Sequence, residues 1–122
     1  MKASSEVSAS DDCAVRSVDR DKVARTRSRL IGDEEAGALA ACFKLLGEPN
    51  RLRILHALLE GGELCVCDLA ATVGVSETSV SHSMRLLRAA GIVRNRRDGR
   101  MIYYRLDDAH VRMLLDLSRE HL

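Results

Sequence analysis

The sequence predicts a mainly α-helical domain with one β-hairpin, and three observations carry that expectation. Apolar residues recur at helical spacing through most of the chain. Two short helical segments are separated by little more than Gly74 and Val75. Two strand-like runs then bracket an Asp98-Gly99 turn signal. At 122 residues, 46% hydrophobic and 30% charged, the chain has globular composition and the size of one domain. No apolar run nears the roughly 20 residues that span a bilayer. The opening MKASSEVSASDDC lacks the apolar stretch of a secretory signal, which predicts a cytoplasmic protein with reduced cysteines.

Each element has its own signal. Residues 1–12, rich in Ser and Asp, read as a disordered tail, and residues 13–30 as an arm whose highly charged helix runs from about Val18 to Leu30. Leu39, Cys42, Phe43 and Leu46 mark one face of the next helix, which Gly47 ends, and Cys42 reads as core packing. Pro49 suits a first helical turn, and Leu52, Leu55, Leu58 and Leu59 give that helix its stripe until Gly61-Gly62. A short helix from about Leu64 to Val73 is closed by Gly74. Ser76 then caps a helix over 77–90, with Val75 and Val80 placed as a hydrophobic staple. Strands over 92–97 and 100–106 flank Asp98-Gly99. A last helix over 108–122 presents Val111, Leu114 and Leu115.

Charge is segregated along this order. Residues 85–105 carry seven Arg against one Asp, residues 13–30 carry six basic against two acidic groups, and residues 31–84 carry three basic against eight acidic. Two helices joined by a tight turn and followed by an Arg-rich hairpin form a winged helix-turn-helix pattern suited to double-stranded DNA. Glu77, Thr78, Ser81, His82 and Arg85 lie on the helix face away from Val80, Met84 and Leu87. They are candidates for base or phosphate contacts, and Arg96, Arg97 and Arg100 at the hairpin tip are candidates for the backbone or minor groove. Thr78 and Ser81 also suit plain solvated positions, and Glu77 favours the helix dipole while repelling phosphate. With no Trp, one Phe and two Tyr, the chain lacks the aromatic platforms of a single-strand binder.

Residues 43–106, above all ELCVCDLA (63–70) and the helix opening SETSVSHSMRLL at Ser76, resemble the core of the ArsR/SmtB family of bacterial metal-responsive repressors. The resemblance is closest to the CadC-like branch, which senses cadmium, lead and zinc. It implies a homodimer with helices near both chain ends at its interface. It also implies an operator-bound apo state that is released when Cd(II), Pb(II) or Zn(II) binds.

Cys65 and Cys67 fall at the start of the first DNA-binding helix, where the dipole should lower thiol pKa values. In an ideal helix, residues two apart diverge by about 200°, so Cys65 with Cys67 requires a distorted first turn whereas Cys65 with Asp68 does not. Cys13 in the arm is the natural third thiolate. The second arm cysteine of CadC-like proteins is replaced here by Ser17, which points to a three-sulfur site. The resemblance further implies that Cys13 of one subunit meets Cys65 and Cys67 of the other. Asp108, His110 and His121 match three positions of a zinc site that the family builds across the dimer. His110 and His121 share a helix face but stand about 16 Å apart along it, so one chain cannot join them at one ion. The family's fourth ligand, a carboxylate three residues after the last His, has no counterpart up to Leu122.

Two rival readings keep the same residues. A thiol redox or arsenite-responsive repressor would use Cys65 and Cys67 as a reactive pair, although no third cysteine stands near Ala71. A zinc-stabilised interaction protein would use the metal only to hold its fold. No nucleophilic triad or paired-carboxylate constellation argues for an enzyme.

Overall fold

The computed structural model describes residues 11–107 and 109–122. The chain divides into two compact units, Met1–Asp33 and Glu34–Leu122. Residues 1–10 of the predicted 1–12 tail and the candidate ligand Asp108 lie outside the described residues. In the first unit, α1 (Arg20–Arg29) starts at Asp19, whose side chain accepts from the Lys22 N–H, and buries none of its residues. A helix with no buried face gains nothing from packing within its own unit.

The second unit is built from α2 (Asp33–Leu46), α3 (Pro49–Gly61), β1 (Glu63–Cys65), α4 (Val66–Val73), α5 (Glu77–Ala89), β2 (Val93–Asp98), β3 (Met101–Leu106) and α6 (Ala109–His121). Its core is Ile54, Leu55 and Leu58 of α3, Leu69 of α4, Val80, Met84 and Leu87 of α5, and Val93 of β2, all essentially inaccessible. Each such side chain contributes about 1.5–3 kcal/mol through burial. Pro49 opens α3 behind a Glu48 cap that accepts from the Arg51 N–H at 2.9 Å. The α3 stripe is rotated from the expected one, because Ile54 joins Leu55 and Leu58 in the core while Leu52 is 40% exposed. Two arginines tie α3 to its neighbours. Arg51 Nε donates to the Leu45 carbonyl of α2 at 2.7 Å, and Arg53 Nη1 donates to the Val73 carbonyl of α4 at 3.0 Å.

Three local expectations are corrected. Residues 63–65 form a strand rather than the start of a helix, because Leu64 pairs with Tyr104 and β1 adds to β3 in the antiparallel order β1-β3-β2. The hairpin loop is Gly99-Arg100, one residue later than expected, since Asp98 stays in the ladder opposite Met101. Positive φ falls on Gly99 and not on Arg100, the pattern of a II′ turn. Finally, the helix face expected to lie in the core is open on α2. Leu39 and Phe43 are 45% and 56% exposed, and only Leu46 is buried, with Cys42 half-buried against the core. Met113 and Leu117 of α6 are likewise exposed.

Candidate functional site

The helix-turn-helix is set by two caps and one glycine. Gly74, in the left-handed conformation at φ 80°, ends α4, and after Val75 the Ser76 hydroxyl accepts from the Ser79 N–H at 3.0 Å to start α5. Val80, Met84, Leu87 and Ser83 face inward. This leaves Glu77, Thr78, His82 and Arg85 exposed, with Ser81 half-buried beside them. Thr78, Ser81, His82 and Arg85 share one face by helical spacing.

In the hairpin the arginines divide into two groups. Arg96 gives its Nε and Nη2 protons to the Glu63 carboxylate at 2.8–3.0 Å, and its guanidinium carbon stands 4.7 Å from the centre of the Tyr103 ring. The pairing holds the Glu63 carboxyl below its ordinary pKa and raises that of Arg96. Arg94 pairs with Asp107 at 3.4 Å. Among the described residues, Arg85, Arg97 and Arg100 form no ion pair, and all three are exposed. Of the three tip arginines singled out by sequence, two are therefore open to phosphate and Arg96 is committed to the sheet.

The thiols lie at the junction of sheet and helices. Cys65 is the last residue of β1 and the N-cap of α4, extended at φ −79°, ψ 166°, and its Sγ accepts from the Asp68 N–H at 3.4 Å. Because Cys65 is outside the helix, the 200° helical divergence from Cys67 does not apply. Cys65 is 4% exposed, whereas Cys67 and Asp68 are exposed. The expected lowering of the Cys67 pKa is overturned. The Glu77 carboxylate beside it, then burial, the neighbouring Cys65, a hydrogen bond to Glu77 and the Asp68 charge push the thiol up. Two thiols, which are soft donors, and two carboxylates, which are hard ones, thus lie in one neighbourhood. Among the described residues no three His, Cys, Asp or Glu side chains converge tightly enough to hold an ion. Cys13 is exposed in the first unit, and His110 and His121 stand exposed at opposite ends of α6.

The register joins these features. Cys65 and Arg96 both pair with Tyr103, one from each side, so thiol, aromatic ring and hairpin arginine form one row across the sheet. Sequence reasoning missed Glu63 and Tyr103. A three-residue strand carries too little alternation to be seen, and only the pairing shows that positions 63 and 96 meet.

Residues 48–95 match the family described as "Bacterial regulatory protein, arsR family". A cadmium resistance transcriptional regulatory protein CadC homolog of Staphylococcus aureus is 38% identical over 111 residues, covering 91% of each chain. The chain belongs to the ArsR/SmtB family. A second member, the transcriptional repressor SmtB homolog of Synechocystis sp., is 42% identical over 84% of this chain and 76% of its own. Among solved ArsR-type structures, the homodimeric winged helix-turn-helix DNA-binding domain of a possible ArsR-family regulator from Mycobacterium bovis matches with TM-score 0.64 and 31% identity. That match covers 75% of this chain and 86% of the other. As a member of the ArsR/SmtB family the chain is a DNA-binding transcription regulator of winged helix-turn-helix fold, not an enzyme. No helix among the described residues is long and apolar enough to cross a membrane.

Proposed function

We propose that the chain is a cytoplasmic homodimeric repressor that holds operator DNA when metal-free and releases it on binding Cd(II), Pb(II) or Zn(II) at Cys13, Cys65 and Cys67. The observation that carries this reading is the position of Cys65. It ends the strand that pairs with the hairpin and caps the helix that precedes the recognition helix. Thr78, Ser81, His82 and Arg85 enter the major groove, Glu77 lies at its edge, and Arg97 and Arg100 take phosphate, with Arg96 bracing them. The open apolar faces of α2 and α6, at Leu39, Phe43, Met113 and Leu117, support a self-association surface.

A soft divalent ion bound at the thiols would supply positive charge beside the Asp68 and Glu77 carboxylates of this cluster. The chain's own residues link that cluster to DNA. The Glu77 carboxylate at the first position of α5 is the leading cause that raises the Cys67 thiol pKa, so the charge of Cys67 is coupled to the start of the recognition helix. Cys65 shares its backbone ladder with Tyr103, against which Arg96 is stacked. A change at Cys67 is therefore felt at the recognition helix through the Glu77 charge, and one at Cys65 at the wing through its pairing with Tyr103. Couplings of about 1–3 kcal/mol change DNA occupancy about 5- to 150-fold. Asp108, His110 and His121 form the second, cross-dimer site of this proposal.

The test is a Cd(II) titration of the fully reduced protein, following the ultraviolet sulfur-to-metal band and the anisotropy of labelled duplex DNA together. A thiolate band that saturates as DNA is released supports the reading. Tight binding without a thiolate band overturns the cysteine site in favour of Asp108, His110 and His121. Unfolding on chelation points to a structural metal, and peroxide-driven release without metal points to a redox sensor.

A further inference from the structure

Helix α1 carries a stripe of like charge that its own geometry leaves unbalanced. At about 100° per residue, Lys22, Arg25 and Arg29 project within about 60° of one another. Asp21, the acid of the first turn, lies about 40° from Arg25 at the edge of the stripe but forms no ion pair with it among the described residues, and Val23 and Leu30 lie together about 115° from the stripe's centre. Lys22, Arg25 and Arg29 line one shallow groove of the first unit with Thr26 and Leu30, and nothing in α1 is buried. Cations three and four residues apart repel, and a ten-residue helix is marginal alone, so the stripe weakens the helix that bears it. The Asp19 cap fixes where the helix starts, and among the described residues no carboxylate pairs with the stripe.

A polyanion of high linear charge density removes that penalty. Duplex DNA carries one negative charge per about 1.7 Å of its axis, and the three cations span about 10 Å of helix. Guanidinium groups suit phosphate oxygens. We infer that Lys22, Arg25 and Arg29 form a further phosphate-binding face for duplex DNA, additional to the recognition helix and the wing. This rests on the reading of the chain as a DNA-binding repressor.

The experiment compares the full reduced chain with the triple variant Lys22→Gln, Arg25→Gln, Arg29→Gln on a labelled 40-base-pair duplex of mixed sequence across a salt series. The variant should show a plot of log affinity against log salt shallower by about 2.7 per chain, from three lost phosphate contacts. A charge-keeping variant, Lys22→Arg, Arg25→Lys, Arg29→Lys, should retain the wild-type slope. An unchanged slope in the glutamine variant, with wild-type binding intact, overturns the inference alone. If the wild type fails to bind duplex at all, the repressor reading falls and takes the inference with it. If the glutamine variant keeps its slope but loses binding to vesicles of anionic phospholipid, the face serves a membrane and the DNA assignment is overturned.

Discussion

Arg96 and Glu63 lie 33 residues apart in sequence, on strands that do not touch, yet they form a two-pronged pair across β3 at 2.8–3.0 Å. The pair ties the hairpin to the strand that ends in Cys65. Because pairing lowers the Glu63 pKa below the ordinary 4.5, its contribution to stability is complete above 4.5 and is lost as pH falls through the depressed folded value. Glu63→Gln should flatten the stability profile over that acid range, as followed by urea midpoints between pH 3 and 6. An unchanged profile would remove the pair from the acid response.

The division of the wing arginines predicts unequal effects on DNA. Arg97→Gln and Arg100→Gln should each make the salt slope shallower by about 0.9 per chain, the value of one phosphate contact. Arg96→Gln should leave the slope unchanged, since Glu63 already takes its donors, and should instead speed amide exchange in β2 and β3. Fluorescence anisotropy over a salt series and hydrogen exchange separate the two behaviours.

Glu77 should govern the chemistry of Cys67. Since its charge leads the causes that raise the thiol pKa, Glu77→Gln should shift the pH profile of Cys67 alkylation to lower pH. Iodoacetamide labelling read by peptide mass spectrometry measures this directly. A profile that does not move would mean that burial outweighs the carboxylate.

Cys65→Ser keeps an N-cap acceptor for the Asp68 N–H and removes one of the three proposed metal-binding thiols. It should fold with near wild-type stability and lose the Cd(II) charge-transfer band and metal-driven DNA release. Cys65→Ala should lose both, at a further cost of about 1 kcal/mol from the missing cap. Retained Cd(II) release in the serine variant would remove Cys65 from the sensor.

At Gly74 only the backbone is at stake. A Cβ there meets nothing within 4 Å, but φ is +80°, so Gly74→Ala should cost about 1–2 kcal/mol without clashes. A urea midpoint shifted at constant slope would confirm it.

Much of this was legible in the sequence because caps and glycines act locally. Pro49, Gly74, Ser76 and Gly99 fixed the helix starts and the turn to within a residue. What sequence reasoning could not reach depends on pairing between distant segments. Leu64 reads as the start of an apolar helix until Tyr104 is set beside it, and Arg96 reads as a free cation until Glu63 is found opposite. The exposure of Leu39 and Phe43 was hidden for a related reason. Periodicity identifies an apolar face, but not whether that face packs within its own chain.

The caps of the two helices differ in kind. α5 begins on a hydroxyl oxygen at 3.0 Å, whereas α4 begins on a sulfur at 3.4 Å, and sulfur is the weaker acceptor. The first turn of α4 is therefore the more weakly held of the two. Under the proposed function, in which Cys65 takes an ion, local opening of that turn exposes the otherwise buried sulfur. The rate of ion entry would then follow the fraying of one helical turn.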